Sequence, residues 1–209
     1  MKSILAFGDS NTWGLVPGSK DAARYPRDVR WTGILQSRRR DVRVLEEGLC
    51  GRTTALDDEK KPGKNGLAAL SDLLQGCPPL SAAILMLGTN DCKRAYRASA
   101  DRIGRGIEAC LDELEKVLPP ERILLVSPIL LGEDVWRPEK DPEFDRASVE
   151  LCRELKAVYR RIAAERGAAF LAASDFVAAD RADDEHMNAV GHRLFAEAVL
   201  EKLGGMGVL

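Results

Sequence analysis

The chain of 209 residues can bury a substantial core without disulfide or metal staples, and its 45% apolar and 31% charged content is that of a globular protein rather than a disordered or membrane one. Thirty-one basic against 33 acidic residues leave a net charge of −2, so no global field would gather nucleic acid or an anionic membrane surface. Five cysteines, Cys50, Cys77, Cys92, Cys110 and Cys152, are odd in number, widely spaced and without a C-x-x-C pair, which reads as reduced thiols of a cytoplasmic protein.

SILAFG (3–8) is an apolar run that breaks off in Gly8-Asp9-Ser10, and it predicts a strand ending in a small turn. Its apolar stretch is too short for a signal peptide, and no run approaches the roughly 18 residues of a spanning helix. A helix is expected over about Trp31 to Arg38, a strand over VRVLEE (42–47), and a second helix over about Asn65 to Leu74. AAILMLG (82–88) and RILLVSP (122–128) are continuous enough to be strands buried on both faces. Between them Ile103, Ile107, Cys110, Leu111, Leu114 and Leu118 recur at helical spacing from about Ser99. A fourth helix places Val149, Cys152, Leu155, Tyr159 and Ile162 on one stripe, AAFLAA (168–173) predicts the last strand, and a final helix from about Asn188 carries Val190, Leu194, Ala198 and Val199 inward. Strand and helix alternate throughout, which predicts a five-stranded parallel sheet covered on both faces, with its site at the carboxyl ends of the strands. Charged, Pro- and Gly-containing loops over 15–30 and 128–145 have the length of functional covers.

A serine at the end of a strand becomes a nucleophile only if a neighbour accepts its proton. The chain has two histidines, His186 and His192, both in DDEHMNAVGH, and Asp183 stands three residues before His186, close enough for one turn to aim its carboxylate at the imidazole. Ser10, His186 and Asp183 would then form a triad. The same stretch also reads as the polar approach to the last helix, with Asn188 as N-cap. For Asp184 and Glu185 that is the preferred reading, His186 taken alone fits either, and His192 fits packing or surface better than catalysis. Glycine-containing turns follow the second strand (EEGLCGRTT) and the third (LGTND), where the amides of Ser10 and Gly51 and the side chain of Asn90 could stabilise an oxyanion. Taken singly, Gly51 and Asn90 are ordinary turn residues. Neither a G-x-S-x-G elbow nor a phosphate-binding glycine loop occurs, and no metal-ligand set is apparent.

FGDSNTWG after strand one, a glycine after strand two, GTND after strand three and D-x-x-H near the C-terminus together resemble the SGNH hydrolases, also called GDSL esterases and lipases. The flanking TWG, VRWTGIL, EEGL, GRTT and LGTNDCK look closest to the bacterial arylesterase and acyltransferase branch. The resemblance implies a single domain over 1–209 with a flavodoxin-like three-layer α/β/α sandwich. It also implies Ser10 as nucleophile, Gly51 and Asn90 in the oxyanion hole, Asp183 and His186 completing the triad, and no cofactor or metal. The expected activity is hydrolysis of small short-chain acyl esters, aryl or carbohydrate acetate, through an acyl-enzyme. An acyltransferase or perhydrolase using the same triad and a non-catalytic binding module are the alternatives. The branch often has an apolar residue where Asn11 stands and a small one where Cys50 stands, so Asn11 is expected to make the pocket mouth more polar. Trp13 and Trp31 are candidates for the pocket wall, and Lys93 for contact with a polar part of the substrate. The two loops are expected to confine the acyl group, with a neighbouring subunit of a homo-oligomer packing Trp136 or Phe144 against them, or those aromatics packing back on their own domain.

Overall fold

The structure, a computed structural model, describes residues 2–209. Strands Lys2–Gly8 (β1), Val42–Gly48 (β2), Ala82–Met86 (β3), Ile123–Ser127 (β4) and Ala169–Ala172 (β5) form one parallel sheet in the order β2-β1-β3-β4-β5. Ile4 pairs with both Val44 and Ala82, and Leu85 with Leu125, so the apolar centres of adjacent strands lie side by side. Alternation along each strand divides the core in two. Leu5, Phe7, Ala83, Leu85 and Leu125 meet helices Gly66–Gly76 (α3), Ala100–Glu115 (α4) and Arg146–Arg166 (α5) on one face. Ile4, Ala6, Val44, Ile84 and Val126 meet Trp31–Arg38 (α2) and Ala189–Gly205 (α6) on the other. This is the expected α/β sandwich. Because helices cover both faces, every residue of β3 and β4 is buried, and all but Ser127 at the end of β4 are apolar.

The helix limits follow local chemistry. Ser99 caps α4, and the chain leaves it before Pro119-Pro120, with Leu118 buried in the turn between. Asp145 and Ser148 cap each other's backbone at the start of α5, which ends on a left-handed Gly167. Asn188 caps α6 as expected. The inward stripe of α6 holds Ala198 and Val199 as expected but differs in its first turns: Val190 and Leu194 are exposed, whereas His192, Phe195 and, further on, Leu203 are buried. That stripe meets α2, where the Trp31 and Phe195 rings pack edge to face at 5.2 Å. Reading His192 as polar rotates the helix by one position, because the true stripe contains it.

The chain goes from β1 outward to β2 and then returns to pair β3 on the other side of β1. Such a reversal opens a crevice at the carboxyl ends of the strands flanking it. Ser10 follows β1, Gly51 follows β2 and Asn90 follows β3.

Candidate active site

Ser10 is the first residue of a four-residue helix, Ser10–Trp13 (α1), entered through a turn that few residues permit. A Cβ on Gly8 would lie 2.1 Å from Thr12 Oγ1 and 2.7 Å from the Met86 carbonyl, so the backbone approach needs glycine. Asp9 Oδ1 then accepts the Asn11 N–H at 3.0 Å and caps the helix. Burial pushes the Asp9 carboxyl up to about 6 despite that bond.

Asp183 organises the opposite wall. Its Oδ1 accepts the backbone N–H groups of Glu185 and His186, both at 3.0 Å, and its Oδ2 accepts the Gly18 N–H and His186 Nδ1–H, both at 2.8 Å. Burial opposes charge here, but the His186 imidazole and these bonds hold the carboxyl down at about 2. Since Asp183 only accepts, a neutral His186 carries its proton on Nδ1, and its Nε2, 2.8 Å from the Ser10 hydroxyl, is then the acceptor. For His186, burial works against the charged ring, yet the carboxylates of Glu185, Asp183 and Asp9 prevail and raise its pKa to about 9. The expected trio is therefore contiguous. Gly18 joins it from the 15–30 loop.

Gly51 has φ +79°, a left-handed conformation that glycine adopts at little cost, and among the described residues its N–H finds no acceptor. Asn90 Nδ2 donates one hydrogen to the Arg52 carbonyl at 3.1 Å, which leaves its second hydrogen for another acceptor. Arg52 in turn donates to the carbonyls of Gly8 (2.9 Å) and Glu47 and covers the Phe7 ring at 4.1 Å. Asp91 accepts the Thr54 hydroxyl at 2.5 Å and its N–H at 3.0 Å, although burial pushes this carboxyl up to about 6. The turns after β1, β2 and β3 are thereby tied together by buried polar groups. Arg52 and Asp91 went unnoticed in the sequence, where their only signal is a charged residue inside a turn motif.

Gly51, Asn90, Lys93 and Tyr96 line one cavity of about 180 Å³ together with Asp58 and Glu143. Lys93 lines this cavity, with its ammonium already bound by Glu143 (2.7 Å) and Asp141 (3.1 Å) of the 128–145 loop. Burial notwithstanding, these carboxylates and Glu185 raise its pKa. Trp13 is half-buried beneath the Arg24 guanidinium, 5.1 Å from the ring centre, and is not among the cavity residues.

Several expectations are corrected. Trp31 is no pocket wall: it is fully buried against Phe195, and its Nε1–H donates to the Asn11 carbonyl behind the site. Asn11 does not face a pocket mouth. It is buried, accepts the Met187 N–H at 2.9 Å and donates to the Glu185 carbonyl at 3.3 Å. Asp184 and Glu185, read as the polar approach to the last helix, do precede its Asn188 cap but are buried; Asp184 pairs with Lys140 at 2.5 Å, and its carbonyl accepts the Gly132 N–H. Phe144 lies within its own chain's core and Trp136 packs partly against that core under Arg146, so Phe144 is no subunit contact.

Among the described residues, no group of three or more His, Cys, Asp or Glu side chains is arranged to hold a metal ion, and no helix is long and apolar enough to cross a membrane.

The GDSL-like Lipase/Acylhydrolase family matches residues 6–194. The inhibitor-bound aryl esterase of M. smegmatis superposes with a TM-score of 0.90 at 32% identity, over 99% of this chain and 100% of that one. A carbohydrate acetylesterase from Sinorhizobium meliloti does so with a TM-score of 0.88 at 31% identity, again over 99% and 100%. A lipolytic G-D-S-L protein from Veillonella parvula, 16% identical over 96% and 97% with a TM-score of 0.71, shares the fold. No curated protein matches significantly.

Proposed function

This chain belongs to the GDSL-like lipase/acylhydrolase family and is a carboxylic ester hydrolase, and from that premise we propose that it hydrolyses small short-chain acyl esters, of aryl or carbohydrate acetate type, through an acyl-enzyme on Ser10. The observation that carries this reading is the line from Ser10 Oγ to His186 Nε2 and from Nδ1 to Asp183 Oδ2, 2.8 Å at each link.

Ser10 Oγ attacks the ester carbonyl as its proton passes to Nε2. The new oxyanion is stabilised by the Ser10 and Gly51 amides and Asn90 Nδ2, donors that are in place before the charge develops. Collapse breaks the bond to the alcohol, which leaves with the proton from Nε2. Water then releases the acid through the same base, while Asp183 keeps the ring in one tautomer. No cofactor is needed. The cavity of about 180 Å³ beside the triad is lined by Gly51 and Asn90 but not by Ser10 or His186, and its charged, internally paired walls favour a small, polar substrate such as a sugar ester.

The family match over 6–194 supports one SGNH hydrolase domain, and the free cysteines support a cytoplasmic setting. A subunit contact would fall to Trp136, which light scattering tests. For the mechanism, an organophosphate should inactivate the enzyme and label Ser10, and Ser10→Ala should lose nearly all turnover of p-nitrophenyl acetate. A label on another serine, or an active Ser10→Ala protein, overturns the reading.

A further inference from the structure

Glu185 carries a carboxylate that the relay does not use. The residue is 5% exposed, and among the described residues none donates a hydrogen bond to its side chain. Its Oε1 lies 3.8 Å from His186 Nε2, the nitrogen that faces Ser10. The backbone around it is pinned on both sides: its N–H donates to Asp183 Oδ1 and its carbonyl accepts from Asn11. Lys93, whose charge reaches it, is bound to Asp141 and Glu143 instead. A buried carboxylate without a donor is costly, and a ligand that donates to it removes the cost.

We propose that Glu185 positions the water that cleaves the acyl-enzyme, and so directs the acyl group to water and away from monohydric alcohols. The inference rests on the reading of Ser10 as the acylated residue. Any acyl acceptor must bring an oxygen to about 2.8 Å from Nε2, and with the two acceptors 3.8 Å apart that same oxygen can reach Oε1 at hydrogen-bond distance.

Water has two O–H bonds to give. One donates to Nε2 and the other to Glu185, which aims the oxygen lone pair at the acyl carbon. As the new C–O bond forms, the first proton passes to Nε2. Collapse breaks the bond to Ser10 Oγ, which takes that proton back, and the second proton stays on the oxygen of the product acid. A monohydric alcohol has one O–H, which Nε2 must receive, so it presents carbon to Glu185 and leaves the carboxylate without a donor. A 1,2-diol restores the missing donor with its second hydroxyl.

The test is the partition of the acyl-enzyme. Wild type, Glu185→Leu and Glu185→Ala are given p-nitrophenyl acetate with equal concentrations of 1-propanol or 1,2-propanediol, and acetate and acetate ester are quantified by chromatography. Nitrophenol release reports acylation separately, so a variant that merely acylates slowly leaves the ratio unmoved. Wild type should prefer the diol by about fivefold or more, and both variants should raise the propyl acetate to acetate ratio by about tenfold. An unchanged ratio in a folded variant overturns the proposal. So does a wild type that takes propanol as readily as the diol, a comparison that decides alone if neither variant folds. A wild type that releases no nitrophenol overturns the esterase reading instead.

Discussion

Asn11 grips His186 from both flanks: its Oδ1 accepts the N–H of Met187 at 2.9 Å and its amide donates to the carbonyl of Glu185 at 3.3 Å. The residue beside Ser10 thus sets where the proposed base stands. In Asn11→Leu both backbone partners lose their bonds in a buried place, and the imidazole is freed to drift from Ser10. kcat on p-nitrophenyl acetate should fall by about tenfold or more, with a stability loss of about 1–3 kcal/mol in urea denaturation. A folded variant with wild-type kcat would reduce Asn11 to packing.

Asn90 is held by one hydrogen to Arg52, so its second can await an oxyanion without reorganisation. Asn90→Ala should lower kcat by about 10²–10³ while KM moves little. A change confined to KM would make Asn90 a substrate-binding residue.

His186 accepts a proton only when neutral. Burial alone would depress its pKa, but Glu185, Asp183 and Asp9 hold it at about 9, so kcat/KM should rise with pH until about 9. Glu185→Gln deletes one of those carboxylates and should move the limb to lower pH. A background-corrected profile from about pH 5 to 11 checks this; an unmoved limb assigns the elevation to the other two.

His192 behaves in the opposite sense. Burial lowers its pKa to about 4, with His186 and Arg30 adding to the effect, while the ring packs on Tyr25 and Nδ1 accepts weakly from the Trp31 N–H at 3.4 Å. Below about 6.5 the unfolded chain takes up a proton that the native ring refuses, so stability drains away as pH falls through about 4. Asp9 works the other way, its raised carboxyl favouring the folded state at low pH until about 6. The difference between wild type and His192→Gln isolates the histidine. The wild type should lose more Tm than the variant between pH 7 and 4, a span of about three pH units, and parallel losses would contradict the assignment.

Asp184 pairs with Lys140 at 2.5 Å, with both side chains nearly enclosed, and its backbone sits at φ +59°. Asparagine tolerates that conformation, so Asp184→Asn removes the charge alone. The stranded lysine should cost on the order of 3 kcal/mol in denaturant melts, with kcat per folded molecule largely kept. Unchanged stability would mean that Lys140 reaches water instead.

The strands and the Asp183–His186 pair were legible because each is local, an apolar run and a three-residue spacing, and Ser10 joined the pair through the motifs that carry the family resemblance. What stayed hidden was tertiary. Lys140 and Asp184 lie 44 residues apart, so neither the pair nor the burial of Asp184 leaves a mark along the chain. The first half of the α6 stripe was misplaced because a buried imidazole scores as polar, and Trp31 because an aromatic two segments from Ser10 fits core and pocket alike. Asn11 looked like a pocket residue for the same reason that it works as a clamp, being polar beside Ser10.

Ser10 and His186 stand 176 residues apart, and Gly18 reaches Asp183 across 165. During synthesis Ser10 therefore leaves the ribosome well before its proposed base. A nascent chain that does not yet include His186 carries Ser10 without its partner, and on the proposed mechanism it does not acylate itself on cellular esters. On that mechanism reactivity waits for the 183–186 turn to dock beside the turn after the first strand, so an active-site label counts only molecules in which Ser10 and His186 have met.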